Sequence, residues 1–298
     1  MNTERLREAT CHIKNQLESF LLLFGLLLVV IFILPMLFMG ASPRAQAANN
    51  SAQTIVLVHG AWADAAGWSG VISRLQTDGY TVWAVPNPLR GLSSDAAYVA
   101  SILNTIPGPI ILVAHSYGGA VITNAATGNP NVKALVYIDG FAPDQGESAF
   151  QLASMPPPTG QSGSCVLGDP STIFNAVPYP GAQNGDVDLY IKPTVYPTCF
   201  ANTIESEQAA VLAVSQRPVT LSALQEPSGP PAWKTIPAWY LVGTQDKVIP
   251  PYLQMFMAER AHAQIVQVKA PHPSMITDPK SVTKLIEKAA KSVLVPTP

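Results

Sequence analysis

The sequence predicts an α/β fold in which a mostly parallel central sheet is flanked by helices and carries one inserted cap. Short runs rich in valine, isoleucine and leucine alternate with helical stretches, as in repeated strand–helix–strand units. Strands of this composition are typical of sheets that are buried on both faces. The alternation breaks between Phe141 and Ile236, where proline and glycine accumulate. We expect this stretch to be an insertion between two strands of the sheet.

Length and composition are those of one large domain. The chain has 298 residues, of which 48% are hydrophobic and 12% are charged, so it can bury one large core. The formal net charge is −2, and the sequence has no run of lysine or arginine. This charge balance argues against nucleic acid as a partner, since such partners select a basic surface. We expect a small neutral or weakly charged molecule instead.

The first 47 residues have the pattern of an export signal. Basic residues precede an apolar run from Phe20 to Phe38, and Ala45-Gln46-Ala47 follows it as a cleavage motif. We interpret residues 1–47 as a signal peptide that is cleaved after Ala47. The alternative is an uncleaved anchor in the inner membrane, because a run of this length can also span a bilayer. Both interpretations predict that residues 48–298 form an exported domain, either periplasmic or secreted. Contact with the membrane is then limited to residues 1–47.

Within residues 48–298 the local pattern predicts each element of the sheet in turn. Predicted strands are Thr54–Val58, Thr81–Val85, Ile110–Ala114, Ala134–Ile138, Ala238–Val242 and Ile265–Val268. Predicted helices are Gly67–Asp78, Ser94–Asn104, Gly118–Thr127 and Val282–Val293. Because strands and helices alternate, we expect neighbouring strands to be parallel.

The segment from about residue 141 to residue 236 lacks strand signals. Met155–Gly160, Pro178–Gly181 and Pro227–Pro231 cannot be central strands, because proline removes a donor from the ladder. A structureless stretch of this length does not fit a compact domain. We therefore predict a cap with a helix over Ser206–Val214; the alternative is a partly disordered linker between two domains. Candidate pocket residues in the cap are Phe141, Phe150, Met155, Phe174, Tyr179, Tyr196 and Phe200.

Both cysteines outside the leader, Cys165 and Cys199, fall in the cap. An even number of cysteines in an exported protein predicts a disulfide, because the compartment is oxidising. The alternative is two separate buried thiols, since sequence spacing does not show whether their Cα atoms approach each other.

A serine stands where the third predicted strand gives way to a helix. The run Ala114-His115-Ser116-Tyr117-Gly118 places small residues two positions before and after Ser116, so that strand and helix can pass closely. This is A-x-S-x-G, a variant of the G-x-S-x-G nucleophile elbow. Such a turn exposes the serine hydroxyl at the carboxyl edge of the sheet. Ser116 is therefore the candidate nucleophile.

An acid and a histidine follow later strands in the order that this nucleophile requires. Asp246 comes shortly after Ala238–Val242, and His272 comes shortly after Ile265–Val268. A serine hydroxyl needs a base at neutral pH, which His272 would supply, and Asp246 would orient the imidazole. Asp139, directly after the fourth strand, is the alternative acid.

Two backbone N–H groups are candidates for an oxyanion hole, the pair of donors that stabilises a developing negative oxygen. The elbow supplies the N–H of Tyr117, and the loop after the first strand supplies that of Ala61. In the same loop, the position of His59 immediately before Gly60 suits a structural role. We expect His115, in the buried position of the elbow, to be a packing residue.

These segments together resemble the α/β-hydrolase superfamily. The resemblance is carried by Leu57-Val58-His59-Gly60-Ala61-Trp62, His115-Ser116-Tyr117-Gly118-Gly119, Gly243-x-x-Asp246 and Pro271-His272. With Gly140-Phe141-Ala142-Pro143, they are similar to a compact serine esterase group of plant methylesterases, hydroxynitrile lyases and bacterial arylesterases. The resemblance implies a cofactor-free serine hydrolase that cleaves small carboxylic esters through a Ser-His-Asp triad and an acyl-enzyme intermediate.

Three alternatives belong to other function classes. Cofactor-free perhydrolase or haloperoxidase activity would use the same triad. Hydroxynitrile lyase-like activity is disfavoured, because Pro273 stands where the lyases resembled here carry a lysine. A non-catalytic small-ligand-binding protein of the same fold would usually lack one triad residue. The histidines and cysteines lack metal-ligand spacing, and no phosphate-binding glycine motif occurs, so we expect neither a metal nor a cofactor.

Overall fold

The computed structural model describes residues 53–294, so the predicted leader lies outside the described residues. The strands are β1 Thr54–Val58, β2 Thr81–Val85, β3 Ile110–His115, β4 Val132–Ile138, β5 Phe174–Pro178, β6 Val187–Ile191, β7 Val219–Thr220, β8 Ala238–Gly243 and β9 Gln264–Val268. Within these residues, one six-stranded sheet has the order β2-β1-β3-β4-β8-β9, and each neighbouring pair is parallel. The parallel sheet predicted from the alternating pattern is confirmed.

The central strands are largely apolar because helices cover both faces of the sheet. Ile55 to Val58 of β1 are fully buried, and alternate side chains enter two separate cores on opposite faces of the sheet. Val58 at the end of β1 pairs in register with Ala114 near the end of β3. This register brings the loops that follow β1 and β3 side by side at the carboxyl edge of the sheet.

The helices are α1 Ser69–Thr77, α2 Leu92–Leu103, α3 Tyr117–Ala125, α4 Ala149–Ala153, α5 Pro170–Ile173, α6 Tyr196–Cys199, α7 Ser206–Ser215, α8 Leu221–Gln225, α9 Pro251–Arg260, α10 Ser274–Thr277 and α11 Pro279–Leu294. Short 3-10 turns cover Ala65–Trp68 and Ala232–Lys234. The helices predicted at α1, α2, α3, α7 and α11 are present. No helix within residues 53–294 combines the length and the apolarity that a membrane crossing needs.

Residues 141–236 lie between β4 and β8, and we call this segment the cap. It contains a second, antiparallel sheet of order β5-β6-β7 together with helices α4 to α8. The expectation that strands are absent from this segment is wrong. Val187–Ile191 alternates apolar and polar residues and forms the central strand β6, whereas Pro178 ends the edge strand β5, where a missing N–H is tolerated.

Cys165 and Cys199 of the cap are joined by a disulfide, with their Cα atoms 5.7 Å apart. The bridge connects the loop before α5 to the last residue of α6. Cys199 is buried and Cys165 is partly buried. Two distant parts of the cap are therefore held together covalently.

Candidate active site

The turn between β3 and α3 holds Ser116 in a strained backbone conformation. Its φ and ψ are 54° and −128°, a region that residues with a side chain seldom occupy. The carbonyl of Ser116 accepts hydrogen bonds from the N–H groups of Gly119 and Phe141, at 2.9 and 3.0 Å. These bonds fix a strand–turn–helix geometry of the kind expected for the predicted nucleophile elbow.

Two glycines make room for this turn. A Cβ on Gly60, in the loop after β1, would lie 2.5 Å from the Cβ of Ser116 and 2.8 Å from the carbonyl oxygen of His115. A Cβ on Gly118 would lie 2.8 Å from the carbonyl oxygen of His59. Both distances are shorter than van der Waals contact allows. The glycines therefore let the loop after β1 pack directly against the elbow.

Ser116, His272 and Asp246 form one hydrogen-bonded chain. The Oγ of Ser116 lies 2.9 Å from Nε2 of His272, and Nδ1 of His272 lies 2.7 Å from Oδ2 of Asp246. A carboxylate only accepts hydrogen bonds, so Nδ1 carries the imidazole proton and Nε2 accepts the hydroxyl proton of Ser116. All three side chains are buried beneath the cap or the loops of the sheet edge. The structure thus brings together the three residues that the sequence singled out.

Four donors surround the carboxyl group of Asp246. Its Oδ1 accepts the backbone N–H groups of Val248 and Ile249 at 2.7 and 2.9 Å, and its Oδ2 also accepts Nε2 of Gln254 at 2.8 Å. Burial raises the pKa of Asp246, and the N–H groups of Ile249 and Val248 act against that rise. Hydrogen bonds from donors to both oxygens favour the ionised form of this carboxyl group, against the effect of burial.

The imidazole of His272 is enclosed by two aromatic rings. Phe200 of the cap meets it edge-on with ring centroids 4.9 Å apart, and the His115 ring lies 4.6 Å away. This burial lowers the pKa of His272 to about 3. The imidazole is therefore neutral at neutral pH, which is the form that can accept a proton.

Asp139, the alternative acid, has different partners. Its Oδ2 accepts the backbone N–H of Ser274 at 3.1 Å, and its Oδ1 has no hydrogen-bond partner within the described residues. Burial and the nearby Asp246 raise the pKa of Asp139 well above its usual value. Asp139 therefore serves the backbone of Ser274, and the carboxyl group that contacts His272 is that of Asp246.

The N–H groups of Ala61 and Tyr117 are both free to donate. Neither forms a hydrogen bond within residues 53–294, and both residues line the same cavity as Ser116. Tyr117 is the first residue of α3, where the helix dipole favours negative charge. Its side chain is anchored by a 2.9 Å hydrogen bond from its hydroxyl to Asp95. The two donors meet the basic requirement of an oxyanion hole, namely free N–H groups beside the nucleophile.

His59 and His115 take structural positions. Nδ1 of His59 lies 2.9 Å from the carbonyl oxygen of Gly60, and its Nε2 accepts the N–H of Asn87 at 2.9 Å. Nε2 of His115 lies 3.0 Å from the carbonyl oxygen of His272. Each imidazole therefore braces a loop of the site, and neither contacts the hydroxyl of Ser116.

A cavity of about 490 Å³ opens above Ser116 and is lined by the sheet edge and the cap. Its aromatic walls are Trp62, Tyr117, Phe141, Phe150 and Phe174. Aliphatic residues from strand β6, helix α8 and the loop after Cys165 complete it, among them Val166, Leu167, Leu189, Leu221 and Leu224. None of the described residues that line it carries a charged side chain. The cavity suits an apolar, uncharged ligand of small or medium size.

The seven cap residues singled out from the sequence take different positions. Phe141, Phe150 and Phe174 line the cavity. Tyr196 and Phe200 pack beneath it, with stacked rings 4.6 Å apart. Tyr179 lies at the surface under the guanidinium of Arg90, and Met155 packs against the core.

Three residues support the site in roles that the sequence did not predict. Gln254 on α9 bonds Asp246, Phe200 covers His272, and Asp95 on α2 anchors Tyr117. Each is a single polar or aromatic residue in a helix or cap segment without a motif. Only the tertiary contacts reveal these roles.

Comparisons with known proteins agree with this geometry. The profile described as the alpha/beta hydrolase family matches residues 55–285. An alpha/beta hydrolase of Aspergillus novofumigatus, nvfD, is 25% identical over 252 residues, covering 79% of this chain and 96% of that protein. A carbendazim hydrolyzing esterase of a Nocardioides species is 33% identical over 117 residues, covering 34% of this chain and 48% of the esterase.

The crystal structure of polyneuridine aldehyde esterase superposes with a TM-score of 0.65 at 18% sequence identity. The match covers 79% of this chain and 98% of the esterase chain. At this identity the superposition establishes a shared fold.

Proposed function

The chain belongs to the alpha/beta hydrolase family, and we propose that it is a serine esterase that cleaves small, uncharged carboxylic esters. One observation carries the proposal. The hydroxyl of Ser116 lies 2.9 Å from the neutral imidazole of His272 and borders a cavity with apolar walls. This arrangement supports the proposal, because a serine nucleophile needs a base within hydrogen-bond reach and an uncharged ester needs an apolar binding space.

Acylation begins when Ser116 attacks the ester carbonyl carbon. Nε2 of His272 accepts the hydroxyl proton as the new carbon–oxygen bond forms, and Asp246 stabilises the imidazolium that results. The tetrahedral intermediate then collapses, the bond to the alcohol oxygen breaks, and His272 returns its proton to the leaving alcohol. The product is an acyl-enzyme on Ser116.

The negative oxygen of the tetrahedral intermediate faces the N–H groups of Ala61 and Tyr117. Both are free within the described chain, so no bond must break before they donate. Each preorganised donor of this kind lowers the barrier by roughly 3–4 kcal/mol. Deacylation repeats the sequence with water as the nucleophile and His272 as its base.

The substrate class follows from the walls of the cavity. Its volume of about 490 Å³ and its lack of charged lining residues favour short or medium acyl groups and aryl esters over charged substrates. The names of two similar proteins, a carbendazim hydrolyzing esterase and polyneuridine aldehyde esterase, support ester cleavage.

A p-nitrophenyl ester series from acetate to decanoate tests the proposal. We expect turnover by the purified protein with an optimum among the short and medium acyl chains, because longer chains exceed the cavity. Release of p-nitrophenolate under initial-rate conditions measures it. Hydrolysis confined to long-chain emulsified lipids would contradict the proposed substrate class, and a folded protein with no turnover would favour a binding role.

The pH dependence of kcat/KM is expected to be shifted towards acid. The imidazole of His272 must be neutral to accept the Ser116 proton, and burial lowers its pKa from 6.5 to about 3. A lowered pKa keeps the base free at lower pH, so the acid limb of the profile lies below pH 6.5. Circular dichroism at each pH separates inactivation from unfolding. An acid limb at or above pH 6.5 in folded protein would contradict this assignment.

The proposed esterase acts outside the cytosol. The leader pattern of residues 1–47 supports export, and so does the disulfide between Cys165 and Cys199, since such bonds persist in oxidising compartments. The intact mass of the protein recovered from the exported fraction of its host tests this proposal. We expect a chain that begins at Ala48, and recovery of the protein only from the cytosol would contradict it.

A further inference from the structure

The loop that carries Asp246 is held from two sides by the cap. We call residues 164–165 and 198–202 the strap, because the Cys165–Cys199 disulfide joins these two pieces into one unit. We call residues 245–248 the acid loop. The strap and the acid loop come from separate parts of the chain, and their contacts are made by backbone and side-chain hydrogen bonds.

The first piece of the strap bonds the end of the acid loop. The N–H of Cys165 donates to the carbonyl oxygen of Lys247 at 2.8 Å, and Oγ of Ser164 donates to the carbonyl oxygen of Val248 at 2.5 Å. Ser164 is buried, so its bond is shielded from water. The cap therefore fixes the carbonyl groups of Lys247 and Val248 at the end of the acid loop.

The second piece bonds the other side of the same loop. Nδ2 of Asn202 donates to the carbonyl oxygen of Gln245 at 3.0 Å, and Nζ of Lys247 donates to the carbonyl oxygen of Thr198 at 3.2 Å. Bonds from the strap thus reach the residues before and after Asp246. The disulfide closes the two pieces around the loop.

The same strap also reaches the imidazole. Phe200 follows Cys199 directly and meets His272 edge-on at 4.9 Å. On the other piece, Val166 and Leu167 follow Cys165 and line the cavity above Ser116. A movement of the bridge would therefore displace the acid loop, the ring that covers the imidazole and one wall of the cavity together.

We infer that the Cys165–Cys199 disulfide is a positioning element for Asp246 and His272, so that opening it lowers the rate of the chemical step. The inference rests on the proposed esterase function for its kinetic readout. The N–H groups of Val248 and Ile249 orient the Asp246 carboxylate, and both belong to backbone that the strap holds. If the carboxylate turns, its Oδ2 accepts the Nδ1 proton of His272 in poorer geometry. The imidazole tautomer whose Nε2 can act as the base is then less favoured.

The test compares wild type with the double variant Cys165→Ser/Cys199→Ser. We expect kcat for a p-nitrophenyl ester to fall by about tenfold or more at a temperature where both proteins are folded. The variant Ile286→Ala is the control, because Ile286 lies in the core on the opposite face of the sheet. It lowers the unfolding temperature without touching the strap, so kcat should stay within about twofold of wild type.

A second readout does not depend on ester turnover. The proton on Nδ1 of His272, held 2.7 Å from Asp246, should give a low-field proton resonance in wild type. We expect this resonance to broaden or shift in the double variant and to remain in Ile286→Ala. If wild type hydrolyses no ester, the proposed function fails, whereas the resonance still decides the positioning inference.

Reduction of wild type covers the case in which the double variant does not fold. A phosphine supplies two electrons, becomes the phosphine oxide with oxygen from water, and leaves two thiols whose number is read by alkylation and mass. Activity lost in proportion to opened bridges, and recovered on reoxidation, supports the inference. Unchanged kcat and an unchanged resonance in folded protein without the bridge would overturn it, leaving the disulfide a purely stabilising role.

Discussion

Replacing Ser116 with alanine is expected to lower kcat for p-nitrophenyl esters by on the order of 10⁴-fold or more. The variant loses the hydroxyl that attacks the ester carbon in the proposed mechanism, while His272 and the free N–H groups remain. Residual turnover would come from water activated in the intact pocket. The fold should persist, because alanine keeps the backbone and removes a single oxygen.

The matched control is Ser73→Ala, a change of the same residue type on the exposed surface of α1. Its kinetics should equal those of wild type. The comparison uses initial rates at equal concentrations of protein. Circular dichroism shows that each variant is folded, and intact mass confirms its identity. If Ser116→Ala keeps a substantial fraction of wild-type turnover, another group is the nucleophile and the proposed mechanism is wrong.

Replacing Asp246 with asparagine should cost on the order of 10⁴-fold in kcat, although the side chain keeps its shape. The N–H groups of Val248 and Ile249 would hold the amide oxygen in the place of Oδ1. The amide NH₂ then faces Nδ1 of His272, which must accept a hydrogen bond. The proton moves to Nε2, and the imidazole can no longer take the proton of Ser116.

The control for this change is Asp139→Asn, the same substitution at the neighbouring buried carboxyl. Because Asp139 bonds the N–H of Ser274 and not the imidazole of His272, and because an amide oxygen can accept the same bond, kcat/KM should stay within about threefold of wild type. The two variants together decide which carboxylate serves His272. Severe loss in Asp139→Asn with near-normal activity in Asp246→Asn would exchange their roles.

The sheet could be predicted from the sequence because its signals are local. A strand such as Ile110–His115 is a continuous apolar run, and Ser116 follows it inside a group of small residues. The order of Ser116, Asp246 and His272 along the chain then places each residue after a strand end. Parallel strands bring those ends to one edge, so the three could be grouped without any contact information.

The cap could be located from its proline and glycine content, but its architecture could not be predicted. Strand β5 pairs with β6 across the loop of residues 179–186, and short strands of this kind depend on their partners more than on intrinsic preference. The contacts that hold Asp246 and His272 in place also come from residues that are distant in the sequence. Gln254, Phe200 and the strap act on Asp246 or His272 from segments that carry no motif.

In the proposed mechanism, Ser116 becomes covalently bonded to the carbonyl carbon of an ester. The most direct measurement is the intact mass of the protein after exposure to an aryl phosphonate, followed by peptide mapping. Wild type should gain one phosphonyl group on the peptide that contains Ser116, while Ser116→Ala gains none and Ser73→Ala behaves as wild type. A folded wild-type protein that stays unlabelled, or a label that persists in Ser116→Ala, would contradict the claim.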